Sequence, residues 1–153
     1  MNRREFSALL PMLFAVPALT PAAEAQAPKP QSAPAQLPKL VSGKYVQAAT
    51  LSVQSSPRTS HRFILGMLPD NIRLESHVTF LAPDAPPEPI GHHKHSEMWF
   101  IREGTVTLMT AGVTRTLKAG DMGLCIAGDD HYISNASKTE PASYVVVAVG
   151  PPE

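Results

Sequence analysis

Cys125 is the only cysteine in 153 residues, so no intrachain disulfide can form. The folded state must draw on packing, or on a bound metal. Charge of either sign is scarce and balanced: 13 basic side chains against 13 acidic ones give a net charge of zero, so no electrostatic footprint for nucleic acid exists. Nor does a run of like charge mark a membrane-surface patch. Aromatic residues are few, and Val, Ile and Leu must build the core. After Val41 no segment carries apolar residues at a 3.6-residue period, which argues against a helical bundle. No internal repeat is present, and the length suits one domain.

The first residues read as an address. Arg3-Arg4 precede a mildly apolar stretch from Ala8 to Leu19, broken by Pro11 and Pro17 and too short for a stable membrane anchor. Ala23-Glu24-Ala25 and Ala25-Gln26-Ala27 then offer small-x-small cleavage sites. Residues 1–27 are therefore expected to be a signal peptide of twin-arginine type, as in bacteria. The expected location is periplasmic or secreted, with no membrane anchor after cleavage. Residues 28–40, rich in Pro and Ala, read as an extended linker, and the folded domain is expected over 41–153.

The body reads as β. Short alternating or apolar runs cover 62–68, 72–81, 98–102, 105–110, 113–117, 122–127, 131–135 and 144–149, separated by turn residues. In the second run Ile72, Leu74, Val78 and Phe80 share one face. Ala111-Gly112 suits a tight hairpin, and the proline-rich stretch Pro83 to Pro89 cannot join a central ladder. Many short strands at close spacing predict an all-β sandwich or barrel.

The chemistry concentrates in Gly91-His92-His93-Lys94-His95-Ser96-Glu97. On a strand His93, His95 and Glu97 point the same way, and imidazole plus carboxylate on one face suit a divalent transition metal. On a straight strand the Cα atoms of His93 and Glu97 would lie ~13 Å apart, so a bulge at Lys94-His95 would ease shared ligation. His92 has the wrong parity, and a bulge there would bring it in instead.

Glu97 and Gly104, with Gly120, Gly128, His131 and Asn135 in register further on and Ile126 where proline is usual, resemble the two motifs of the cupins. The run from His95 to Gly104 is similar to a subgroup of small exported single-domain bacterial cupins. The resemblance implies a single jelly-roll β-barrel and a metal set of His93, His95, Glu97 and His131. It is a shifted set, because the family's first histidine falls on Gly91, which cannot ligate. One divalent ion is implied, and Fe, Mn, Zn, Ni, Co and Cu all suit the donors. The resemblance also implies a homodimer in which residues 43–54 pair into the neighbour's sheet.

Three functions follow as expectations. The first is a metal-dependent enzyme on a small organic substrate, of oxygenase, isomerase or lyase type, with Glu97 as the catalytic acid–base candidate. The second is a module that binds a small ligand or metal without turnover, and the third is a metal-free scaffold barrel. Trp99 shares the parity of the donors and either lines the pocket or packs in the core. Cys125 reads as a small buried strand residue, His61 and His77 as structural or solvent-exposed, and Asp129 and Asp130 as turn formers. Arg102, Arg115 and Lys118 are the basic candidates for an anionic substrate, with nothing to place them at the site.

Overall fold

A computed structural model describes residues 36–49, 53–55 and 57–153. The expected leader, and the expected linker as far as residue 35, lie outside the described residues. Within them the chain forms ten strands. These are β1 (Val53–Ser55), β2 (Arg58–Leu68), β3 (Ile72–Leu81), β4 (Gly91–His92), β5 (Ser96–Glu103), β6 (Thr105–Thr110), β7 (Val113–Lys118), β8 (Met122–Cys125), β9 (Asp130–Asn135) and β10 (Ala142–Gly150). The one helical element described is a single 3-10 turn, Pro69–Asn71.

Two antiparallel sheets result. One runs β1-β2-β3-β10-β5-β8 and the other β4-β9-β6-β7. This is the all-β jelly roll that the alternating runs predict, and the strand positions agree closely with those read from the sequence. Between the sheets lie Leu81, Trp99, Ile101, Tyr144 and Val146 from the first, against Val106, Leu108, Leu117 and Ile133 from the second. Burying such side chains contributes roughly 1.5–3 kcal/mol each.

Turn chemistry sets the strand ends. Ala111 and Gly112 take φ of 49° and 75°, the paired positive values of a two-residue hairpin joining β6 to β7. Gly104 (φ 71°) turns β5 into β6, and a Cβ there would run into the Pro141 carbonyl. Asn135 is a staple: its side-chain N–H groups donate to Ala82 O and Glu140 O, both at 2.8 Å. It thereby ties the proline-rich loop to the chain entering β10.

Apolar alternation on β3 did not say which face is inside. Ile72 and Phe80 prove 36% and 38% exposed, although Val78 on their face is fully buried, whereas Thr79 and Leu81 are buried on the other. The inward face of β3 is more polar because it borders a cavity, to which His77 and Thr79 contribute. Before β1, the Met67 N–H donates to Pro38 O and the Leu40 N–H to Met67 O, so the chain already runs beside β2 at residues 38–40.

Glu75 on β3 sits beside two guanidinium groups and an imidazole: Arg73, Arg62 at 3.6 Å and His77 at 3.7 Å. The interaction with His77 leads, burial opposes it, and Arg73 and Arg62 add to it, holding the carboxyl at about 2 against an ordinary 4.5. A carboxyl depressed in the folded state stabilises fully above its unfolded pKa and loses that contribution as pH falls through the folded one. Stability is therefore expected to drop as pH falls from about 4.5 to about 2. In Glu75→Gln that slope should be shallower in denaturant titrations run across the window. An unchanged slope would exclude Glu75 as its source.

Candidate metal centre

The histidine-rich segment does not run as one strand. β4 belongs to the four-stranded sheet and β5 to the six-stranded one, and His93, Lys94 and His95 carry the chain across. This corrects the straight-strand picture. His93 follows the end of β4 and Glu97 stands near the start of β5, so the chain bends where the sequence called for a bulge. The Gly128 N–H donates to His93 O at 2.8 Å, and the Ala127 N–H to Ser96 Oγ at 3.1 Å. These bonds tie the bend to the turn that precedes β9.

On β9, His131 pairs opposite Gly91. One donor atom each from His93, Glu97 and His131 lie within 4.8 Å of one another. His131 Nε2 is 3.3 Å from Glu97 Oε2. A Cβ built on Gly91 would stand 2.6 Å from His131 Nε2 and 3.2 Å from His93 Nε2. The two ring nitrogens therefore converge beside a backbone that carries no side chain. Two imidazoles and one carboxylate suit a divalent transition metal, with coordination positions left over. The residues present fit such an ion.

His95 falls elsewhere. Its Nε2 bonds Glu97 Oε1 at 3.1 Å, and a second donor group contains His93, His95 and Glu153. No single group among the described residues contains all of His93, His95, Glu97 and His131. His92 points outward, with Nδ1 2.9 Å from Asp130 Oδ1 at the surface. Neither His92 nor His95 falls in the donor group that contains His131.

Burial pushes the Glu97 carboxyl up, but hydrogen bonds from His131 and His95 outweigh it and hold the group below the ordinary carboxylate range. The same bond raises His131, against burial. In the metal-free protein the pair therefore favours its ionised form, and a metal must displace that proton. His131 Nδ1 faces Asp129 O at 3.5 Å. A carbonyl only accepts, so Nδ1 carries hydrogen, and Nε2 is the nitrogen left to ligate once the proton it shares with Glu97 is displaced. Cys125 Sγ lies 3.6 Å from the same Nδ1. Burial pushes this thiol up to about 11, which leaves it an inert buried residue rather than a nucleophile.

The three donors open on a cavity of about 300 Å³. Trp99 lines it and also packs in the core, its ring centroid 5.4 Å from that of His131. Arg58, His77, Glu88 and Tyr144 line it too, and sequence reasoning missed all four as site residues. The Arg58 guanidinium donates to Tyr144 Oη at 2.6 Å and to Ile133 O at 3.0 Å, and meets Glu88 Oε2 at 3.3 Å. Burial raises the Glu88 carboxyl, Arg58 pulls it back, and Glu97 raises it again. Burial likewise keeps the Tyr144 phenol protonated. Nothing local marks these residues: Arg58 opens a strand and Glu88 stands in the proline-rich loop. Arg115, weighed as an anion reader, lines a different cavity of about 400 Å³ with Leu108 and Leu124.

Comparison with known families finds that Cupin_2, described as a cupin domain, matches residues 77–148. Among solved structures, an RmlC-like cupin from Shewanella frigidimarina NCIMB 400 is similar at 16% identity and TM-score 0.55, covering 68% of this chain and 86% of that one. A Cupin 2 conserved barrel domain protein from Salinispora arenicola CNS-205 is similar at 21% identity and TM-score 0.53, with 71% and 88% covered. KdgF from Halomonas sp. is similar at 16% identity and TM-score 0.53, with 68% and 87% covered. At these identities the likeness speaks for the fold. Comparison with curated proteins finds no match.

Proposed function

As the chain belongs to the cupin superfamily, we propose that it is a metal-dependent enzyme acting on a small organic molecule, of oxygenase, isomerase or lyase type. The observation that carries this reading is the convergence of His93, Glu97 and His131 within 4.8 Å at a cavity of about 300 Å³. A bound divalent ion supplies Lewis-acid polarisation of a substrate oxygen there.

The side chains divide the remaining work. His93 and His131 would hold the ion through Nε2. Glu97 supplies the negative charge of the donor set, held in place by His95. Glu88 is the acid–base candidate outside that set: it lines the same cavity, and burial raises its carboxyl above the ordinary value. Arg58 orients Glu88 and the Tyr144 hydroxyl together. Trp99, Pro89 and Val146 line the same cavity with apolar surface and limit water.

Glu97→Gln tests the reading, since it keeps the shape and removes the charge. Untagged protein loaded separately with Fe, Mn, Ni and Zn would be screened on oxygenase, isomerase and lyase substrates. The variant is expected to keep part of its metal through the two histidines and to lose activity by about 10²–10⁴-fold. Full metal and full activity in the variant would remove Glu97 from both roles. A wild type without turnover under any metal would hand the lead to a ligand-binding module.

A further inference from the structure

After β10 the chain passes close over the histidine bend: a Cβ on Gly150 would stand 2.6 Å from His95 Cα. That close approach brings Glu153 to the outer side of His93 and His95. The Lys94 backbone N–H donates to Glu153 Oε1, and Glu153 Oε2 lies 3.3 Å from His93 Nδ1. The two imidazoles stack, centroids 4.6 Å apart and planes 11° from parallel. The nearest carboxylate differs for the two rings: Glu153 outside for His93, Glu97 inside for His95.

We propose that Glu153 is a positioning residue, whose carboxylate holds His93 as the Nδ1–H tautomer and so leaves His93 Nε2 bare beside Gly91 and His131. A carboxylate only accepts hydrogen bonds, so the nitrogen facing it in a neutral imidazole is the one bearing hydrogen. For His93 that nitrogen is Nδ1. For His95 it is Nε2, which meets Glu97 Oε1 at 3.1 Å. His95 Nδ1 is buried without a hydrogen bond, 3.6 Å from Glu153 Oε1, as fits a nitrogen that carries no hydrogen. The stacked pair thus holds opposite tautomers. His131 likewise sets Nδ1 on a carbonyl, while its Nε2 faces Glu97 Oε2 at 3.3 Å and holds the proton that a metal would displace. Carboxylates behind ligating histidines orient the ring and raise its basicity, and their loss costs about 10–100-fold in metal affinity.

The tautomer assignment stands on the metal-free geometry, while its consequence for affinity rests on the metal reading. Two measurements on the full chain separate them. Long-range proton–nitrogen NMR of the metal-free protein, at a pH where the imidazoles are neutral, should report His93 as Nδ1–H and His95 as Nε2–H. In Glu153→Ala, His93 should lose its Nδ1–H preference, whereas Glu153→Gln should retain much of it through the amide oxygen. Calorimetric titration with Zn²⁺ should show affinity about 10–100-fold lower in Glu153→Ala, with Glu153→Gln between the two. A wild type that binds no Zn²⁺ yet shows the tautomer switch would sink the metal reading and leave the positioning role standing. His93 found as Nε2–H, or unchanged in Glu153→Ala, overturns the proposal. So does a second Zn²⁺ per chain lost in Glu153→Ala, which would make Glu153 a ligand.

Discussion

His131→Ala is expected to abolish the rise in thermal stability that a divalent metal gives this protein. A metal that binds only the folded state adds RT ln(1 + [M]/Kd), about 2.7 kcal/mol at a hundredfold excess over Kd. For a domain of this size that corresponds to a melting shift on the order of 10 °C. His131 is the one donor that β9 brings to the group, and the other two, His93 and Glu97, flank the bend between β4 and β5. Without it, no ligand spans from the second motif to the first. The variant will also be less stable without metal, because it loses a buried imidazole and the 3.3 Å contact with Glu97. The decisive quantity is therefore the difference between melting points with and without metal, measured in each protein. An equal shift in wild type and variant would remove His131 from the ligand set.

Gly91→Ala should be nearly as damaging to metal binding, although it adds a single methyl group. The new Cβ would stand 2.6 Å from His131 Nε2 and 3.2 Å from His93 Nε2, inside normal contact distance for the first. Both rings would have to turn away from the point where their nitrogens converge. Loss of affinity by about 10–100-fold is expected, comparable to disturbing the orientation of metal-ligating histidines by other means. Calorimetry with Zn²⁺ on the folded variant would measure it. Wild-type affinity in Gly91→Ala would place the ion away from the Gly91 side of the cluster.

Much of this was legible in the chain. Alternation and turn residues located β3 and β5 to β10, because each strand has its own local pattern and each turn its own residue chemistry. Ala111-Gly112 is the clearest case. The spacing from Glu97 to Gly104, and from Gly120 to Asn135, carried the family resemblance. What stayed hidden depended on where strands end and which way they face. Parity placed His93, His95 and Glu97 on one face only for an unbroken strand, and the chain changes sheets at His93–His95. Parity also put Ile72, Leu74, Val78 and Phe80 together but could not tell that the opposite face, with His77 and Thr79, borders the cavity. Arg58, Glu88 and Glu153 come from a strand start, a proline-rich loop and the chain beyond β10. Their meeting with the histidines is a product of topology, and nothing near them in the sequence signals it.

The central claim is that His93, Glu97 and His131 hold one divalent ion. Anomalous X-ray diffraction from crystals of untagged protein grown with Zn²⁺ tests it most directly. The account predicts a single strong peak about 2.0–2.2 Å from His93 Nε2, His131 Nε2 and a Glu97 oxygen. No peak at that position, or one held by His95 and Glu153 instead, would contradict it.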